Sequence, residues 1–419
     1  MKILYVSQYF PPEMGAPSAR VSELSRHWAE AGHHVSVMTG FPNHPTGVVY
    51  PDYRSKIRQL VYRERVDGVE VVRSWLWPLP NRKPHERILN YTSFSLSSSI
   101  TGSFVARPDI IIATSPQLLV GMAGWWLSWT RSIPFVLEIR DLWPDAILAS
   151  GVGNNNSMFS KTLSAISGFL YQRCDHLVVV TPAFKTEIIK DFGIDPEKIS
   201  IVENGAQTDL FSDKGRKMTL NEQPDLENRF VVSYIGTLGL AHGLSTMLQA
   251  ASRLQVQYPD MLFLLVGEGA DKERLVKLAK DQGLTNIRFL PQQPREKVPA
   301  IIRASDVCLV MLKKAPIFKT VIPTKMLEFM ACSRPVILGV DGQARQVLEE
   351  AEGGVYTEPN DPDALTDAII KLYKDARLRN TLGQSGRRYI VKNLSRKKTS
   401  EKYLKVLRRV LSTRKMVGP

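Results

Sequence analysis

Three glycines, Gly236, Gly239 and Gly243, follow directly on the apolar run FVVSYI. A glycine-rich turn between a strand and a helix lets backbone N–H groups come close to an anion, so this turn is suited to cradling a phosphate. Its spacing fits neither the dinucleotide fingerprint G-x-G-x-x-G nor the P-loop, and the pattern alone does not say which phosphate. Gly15 is a second candidate, standing just before a helical pattern that runs from Ala16 to Ala31 with Pro17 and Ser18 near its start. The free N–H groups and positive dipole of that helix suit a diphosphate, and the same residues read equally as an ordinary βα turn. Arg140, Asp141 and Asp145 lie in EIRDLWPD at the end of another strand pattern, where side chains project toward whatever the carboxyl edge of a sheet binds. An Arg-Asp pair serves there as loop scaffolding just as readily. Asp361-Pro362-Asp363 imitates a metal-binding DxD, but it opens the amphipathic run DALTDAIIKLY, where an aspartate acts as helix cap and dipole partner.

These residues need strands and helices to bring them together, and the patterning supplies both. KILYVS, HHVSVMTG, VEVVRSW, DIIIATS, PFVLEIRD and HLVVVT are short β-branched runs, each followed by turn residues or an amphipathic stretch. The alternation predicts an α/β chain with parallel sheets covered by helices on both faces. After Asn204-Gly205 the same alternation starts again with RFVVSYIGT, MLFLLVGEG, IRFLPQQ, DVCLVML and RPVILGV. At 419 residues the chain is too long for a single core, so two domains are expected, over 1–205 and 206–390. Residues 110–129 form the longest apolar stretch, which Thr114, Ser115 and Pro116 divide into a strand and a helix, so no membrane span is expected. The apolar start MKILYVSQYF meets Pro11-Pro12 before a secretory segment is completed, which argues for a chain that is not exported. Cys174, Cys308 and Cys332 have neither the number nor the spacing of a disulfide framework or a zinc ribbon.

The formal net charge is +14, but it is concentrated at one end: residues 391–419 hold 10 Lys+Arg against 1 Asp+Glu. A nucleic-acid binder spreads cations over a folded face with interleaved aromatics, and this tail has only Tyr403, so no nucleic-acid partner is expected. A polybasic tail gains instead from an anionic leaflet, by about 1 kcal/mol per Lys or Arg near the surface. All seven tryptophans fall within residues 1–143. Trp28, Trp125, Trp126 and Trp129 read as helix core, whereas Trp75 and Trp77, flanked by prolines and charges, suit a sugar- or membrane-facing surface. The segment 75–104 is the stretch expected to lie on a membrane.

The segment PTKMLEFMACSRPVILG resembles the donor-binding signature of glycosyltransferase family 4, and IVENGAQTDLF resembles its interdomain segment. PPEMGAPSARVSELSRHWAEAGHHVSVMTGFPNHPTG and EIRDLWPD are similar to the subgroup named for L-fucosamine transfer in O-antigen and exopolysaccharide synthesis. The resemblance implies the GT-B arrangement, two Rossmann-like domains facing a cleft, with a C-terminal helix within about 391–419 crossing back to the first domain. It further implies a nucleoside diphosphate sugar as substrate, retention of anomeric configuration, no cofactor and no metal. The acceptor it implies is a polyprenyl-diphosphate-linked saccharide, handled on the inner face of the cytoplasmic membrane.

Carried onto this chain, the resemblance assigns Glu328 to the donor ribose, since a carboxylate accepts from two vicinal hydroxyls. The family's partner glutamate is replaced by Thr320. Lys325 is expected to reach the diphosphate, and the family's basic pair after the strand glycine appears as Thr237 and His242. Gly15, Gly236, Gly239, Glu268 and Thr324 complete the expected donor site; Asp141 joins Lys325 and His242 as catalytic; His44 joins Arg140 and Asp145 on the acceptor side. Two other readings stay open on the same scaffold: a nucleotide-sugar epimerase and a non-catalytic sugar-nucleotide-binding subunit. An oxidoreductase does not fit, because Lys272 stands where the fingerprint needs its last glycine.

Overall fold

The computed structural model describes residues 1–44, 46–80, 84–143, 158–215 and 229–417. The chain divides into two compact units, Met1–Glu203 with Lys397–Pro419, and Asn204–Arg396. Among the described residues no helix is long and apolar enough to cross a membrane, and the three cysteines are separate buried thiols.

The first unit is built on an eight-stranded sheet in the order β3-β4-β2-β1-β5-β6-β7-β8. Its strands are β1 (Lys2–Val6), β2 (His34–Gly40), β3 (Val61–Val66), β4 (Val69–Ser74), β5 (Ile110–Thr114), β6 (Phe135–Ile139), β7 (His176–Val179) and β8 (Ile199–Ile201). All pairs are parallel except β3 with β4. The helices are α1 (Ala16–Glu30), α2 (Pro84–Ser103), α3 (Leu118–Arg131), α4 (Met158–Arg173) and α5 (Pro182–Phe192).

Strand alternation decides which helix covers which face. Tyr5, Ile112 and Val136 share a core cluster with Val21, Leu24 and Trp28 of α1. Ala113, Phe135 and Leu137 face the opposite way, onto α3. Gly121 and Gly124 let that helix settle on the sheet; a Cβ on Gly124 would stand 2.6 Å from the Phe135 ring and 2.7 Å from the Ala113 side chain. The last helix, α13 (Arg396–Val417), belongs to this unit and lies in the α1 layer. It buries Tyr403, Leu404, Val406, Leu407 and Val410 there, and the Trp28 indole N–H donates to the Ser400 carbonyl at 3.2 Å. The basic tail is therefore a structural helix that buries Arg396 and exposes Lys397, Lys398, Lys402, Lys405, Arg408 and Arg409, rather than a free polybasic extension.

A buried ion pair ties the sheet to α1. Glu138 in β6 accepts from Arg20 Nε and Nη2 at 3.0 and 2.8 Å, and from Tyr5 and Thr114 hydroxyls at 2.7 and 2.6 Å. Arg20 also donates to the carbonyls of Val202 and Glu203, fixing the chain as it leaves the unit.

The second unit has a six-stranded parallel sheet in the order β11-β10-β9-β12-β13-β14. Its strands are β9 (Phe230–Ile235), β10 (Met261–Val266), β11 (Ile287–Leu290), β12 (Val307–Met311), β13 (Val336–Gly339) and β14 (Gly354–Tyr356). Helices α6 (Ser245–Leu254), α7 (Lys272–Asp281) and α11 (Pro362–Lys374) cover one face; α8 (Val298–Ala304), α9 (Thr324–Ala331), α10 (Gln343–Glu350) and α12 (Ala376–Asn393) cover the other. Asp361 caps α11 by accepting from Asp363 and Ala364 N–H groups, both at 2.9 Å, and Asp363 pairs with Arg253. The DPD sequence is thus occupied in holding a helix.

Candidate functional site

In the second unit the order of strands reverses at β9, which has β10 on one side and β12 on the other. Such a switch point opens a crevice beyond the carboxyl ends of the strands. The turn after β9 is held there by backbone: Gly236 N–H donates to Val266 O and Leu238 N–H to Glu268 O, both at 2.9 Å. The turn after β10 lies directly against it. Gly267 has φ 150°, and a Cβ on it would come within 2.0 Å of the Gly236 oxygen, so only glycine allows this approach.

Lys325, in the first turn of α9, reaches across to this turn. Its Nζ donates to the Tyr234 hydroxyl at 2.7 Å, lies 4.0 Å from the centre of that ring, and would touch a Cβ placed on Gly236 at 2.6 Å. The Tyr234 hydroxyl in turn donates to Thr237 O at 2.9 Å. His242 sits beside them, its ring 5.9 Å from that of Tyr234 and its Nδ1 3.2 Å from Gly239 O. Burial pushes Lys325 down to about 7, with Glu328 opposing. Burial, then the nearby Lys325, pushes His242 down to about 4. The cluster therefore holds a neutral imidazole and a lysine poised to take a proton, arranged around the half-buried backbone of Gly236 and Gly239.

Gly236, Thr237, Gly239, His242 and Lys325 are thus brought together. The others stand apart from that core. Glu328, three residues after Lys325, pairs with Arg295 at 3.0 Å, and the Arg295 guanidinium lies 4.9 Å from the Phe211 ring. The Glu268 carboxylate is turned to Lys272 at 2.6 Å, so its contribution to the turn is its carbonyl. Thr320 is buried and donates to Ile317 O at 2.7 Å, while Thr324 is the first residue of α9. Tyr234 and Arg295 were not singled out by the sequence: Tyr234 is hidden in an apolar strand, and Arg295 lies 33 residues from its partner.

In the first unit the residues collect at the carboxyl edge of the sheet. Gly15 is the N-cap of α1, with φ 137° and no side-chain capping bond. Arg140 and Asp141 follow β6, and their N–H groups donate to the Ser115 hydroxyl at 2.6 and 3.3 Å. Burial, offset by Arg140, pushes Asp141 up to about 6. Arg140 Nε and Nη1 are buried and have no hydrogen-bond partner among the described residues. The His44 ring lies tilted at 43° to that of Tyr9 with ring centres 5.0 Å apart, and its buried Nδ1 likewise has no partner among the described residues. Asp145 lies outside the described residues.

A residue not foreseen, Glu13, organises this edge. Its Oε1 accepts from the N–H groups of Asn43 and His44, both at 2.9 Å, while its buried Oε2 has no partner among the described residues. Burial, offset by those two N–H groups and by Arg73, pushes Glu13 up to about 7. A glutamate between Pro12 and Met14 in a loop was the available signal. Trp126 and Trp129, read above as helix core, are exposed on the outer side of α3; Trp28 is fully buried, and Trp77 is exposed. The apolar stretch that suggested burial covers both faces of α3, and only one of them meets the sheet.

Comparison with known proteins agrees with this architecture. Residues 15–205 match the model of the glycosyl transferase 4-like domain, and residues 217–389 that of glycosyl transferases group 1. The chain is 25% identical over 379 residues to the putative colanic acid biosynthesis glycosyl transferase WcaI of Escherichia coli K12, covering 88% of this chain and 91% of that one. It is 25% identical over 331 residues to the probable glycosyltransferase WbjE of Pseudomonas aeruginosa, covering 78% and 80%. Among solved structures, sucrose-phosphate synthase of Thermosynechococcus elongatus superposes with a TM-score of 0.75 at 19% identity, covering 98% and 99%. Anabaena HepE in complex with UDP gives 0.71 at 16% identity, covering 98% and 100%. A glycosyl transferase 4-like domain followed by a glycosyl transferases group 1 domain, on two Rossmann-like sheets, makes this chain a glycosyltransferase of the GT-B type.

Proposed function

We propose that this chain is a retaining, metal-independent glycosyltransferase that moves an amino- or deoxysugar from a nucleoside diphosphate to a polyprenyl-diphosphate-linked saccharide in bacterial surface polysaccharide synthesis. The observation that carries the reading is the placement of Lys325 over the Gly236 turn at the switch point of the second sheet. A diphosphate seated on that turn meets backbone N–H groups and one half-buried amine, which takes up a proton as the anion arrives. As the anomeric bond breaks, negative charge gathers on the departing diphosphate, and the fixed ammonium stabilises it more than it stabilises the donor. The leaving phosphate oxygen accepts the acceptor hydroxyl proton, so no pair of carboxylates flanking the bond is required.

In this reading Glu328, aligned by Arg295, holds the ribose, and Thr237, Gly239 and His242 line the diphosphate together with Thr320, Thr324 and the Glu268 backbone. Gly15, His44, Arg140 and Asp141 serve the carboxyl edge of the first unit, with Asp145 beyond the described residues. The polysaccharide assignment rests on the one relative named for colanic acid biosynthesis, and the L-fucosamine assignment on the N-terminal resemblance alone. The acceptor places the enzyme in the cytoplasm, in peripheral contact with an anionic membrane, without nucleic acid. Thermal-shift measurements with UDP, GDP, dTDP and NAD test the core of the reading, because a ligand of the native state raises the melting temperature by mass action. One of the nucleoside diphosphates stabilises the protein; stabilisation by NAD alone overturns the assignment. Donor turnover that needs no acceptor marks an epimerase.

A further inference from the structure

Among the described residues, none covers the outer face of the helix layer formed by α2 and α3. These two helices pack side by side on the sheet: Ser95 Oγ donates to Leu119 O at 2.7 Å, and Arg131 donates to the carbonyls of Gly102 and Val105 at 2.7 and 2.9 Å. Their outward side is apolar. Leu96, Ile100 and Phe104, spaced by four residues, are 62%, 65% and 80% exposed, and Trp126 and Trp129 on the neighbouring helix are 42% and 65% exposed. A helix that is apolar all round belongs in a core or in lipid, and α3 has a core on one side only. Scattered exposed apolar residues are ordinary, whereas a contiguous stripe over two helices marks a binding surface.

The charge around the stripe names the occupant. From Arg87 to Arg131 the only carboxylate is Asp109, which accepts from the Lys2 N–H, while Arg107 stands close enough to Arg131 to add to the effect of burial in lowering the proton affinity of its guanidinium. Tryptophans beside Arg107 and Arg131 match headgroup depth on an anionic bilayer. The outward cations of α13 are not an equivalent site, because α13 covers the opposite face of the sheet together with α1. One flat bilayer does not touch both faces of one sheet.

We infer that the α2–α3 face, not the basic C-terminal helix, seats this protein on an anionic lipid bilayer. The inference rests on the proposed use of a membrane-held acceptor. It is tested with the full chain on vesicles of phosphatidylglycerol and phosphatidylcholine, and of phosphatidylcholine alone. Flotation of the unmodified protein is expected on the anionic vesicles, with Trp fluorescence quenched by brominated lipid. The double variant Trp126→Ser/Trp129→Ser should lose about tenfold or more in partitioning, while Lys405→Gln/Arg408→Gln on α13 should lose less. Quenching needs no variant, so a poorly folding double variant leaves the test intact. Unchanged flotation of the tryptophan variant, a larger loss from the α13 variant, absence of quenching, or a self-associated species dispersed by the tryptophan substitutions overturns the inference. Retained stabilisation by a nucleoside diphosphate in either variant shows that the enzymatic reading stands independently of this outcome.

Discussion

Lys325 is the residue on which donor chemistry and protein stability pull in opposite directions. A lysine with little water around it costs free energy to keep charged, and here burial brings its proton affinity down to about 7. In the unfolded chain it titrates near the ordinary lysine value, so between about pH 7 and 10 the unfolded state binds more protons, and this residue's contribution to stability rises with pH. Replacement by methionine keeps the stem and removes the amine. Lys325→Met is therefore expected to be at least as stable as the parent near neutral pH while losing about 10²–10³ in turnover, the effect of removing one preorganised charge stabiliser. Urea unfolding and steady-state rates measured side by side check it, and a large fall in stability would mean that the lysine is structural. The same proton predicts the pH dependence of binding. Below pH 7 the empty site already carries the charge; above it, the nucleotide must bring a proton along. Affinity for a nucleoside diphosphate should then fall by up to about tenfold per pH unit above 7. Calorimetry in buffers of different ionisation heat would show proton uptake, and pH-independent affinity across that range would refute it.

At the scale of elements, the Arg20–Glu138 pair shows what holds the first sheet to α1. Both side chains are fully buried. Burial raises the Glu138 carboxyl, and Arg20 with Arg140 more than offsets it, so the group stays ionised. Removing one partner leaves a buried charge alone, which typically costs about 3–5 kcal/mol. Glu138→Leu and Arg20→Leu should each lose that much in denaturant unfolding, and the double variant less than their sum. Simple additivity would argue that the two residues act separately.

The strands around this pair were readable because each is a short, mainly apolar run buried on both faces, as IIIAT and FVLEI are. Those that escaped reading lack that signature. In VYRERV of β3 every other residue is exposed at the sheet edge, and β8 and β14 are three residues long. The site follows the same logic. Glycines and a helix-borne lysine announce themselves in sequence, whereas Tyr234 looks like core and Glu13 like loop. The tryptophans of α3 misled because an apolar run records hydrophobicity, not which side of it meets protein.

At the scale of the molecule, the chain leaves the first unit at Glu203 and returns to it at Lys397, so the last helix belongs to the first unit although the whole second unit lies between. The five large apolar side chains that α13 buries are each worth about 1.5–3 kcal/mol. Their sum is comparable to the total stability of a domain, about 5–15 kcal/mol. Deleting Lys397–Pro419 is therefore expected to unfold the first unit rather than trim a tail. The second unit, Asn204–Arg396, keeps every residue of the Lys325 cluster. The two responses are separable because all seven tryptophans lie within residues 1–143. Tryptophan emission reports on the first unit alone. In the truncated chain it should shift to that of solvent-exposed indole without denaturant, while a far-UV transition that moves with added nucleoside diphosphate persists. Parent-like emission from the truncated chain would show that the α1 layer closes without α13, and that the burial of Trp28 against Tyr403 contributes far less than its packing implies.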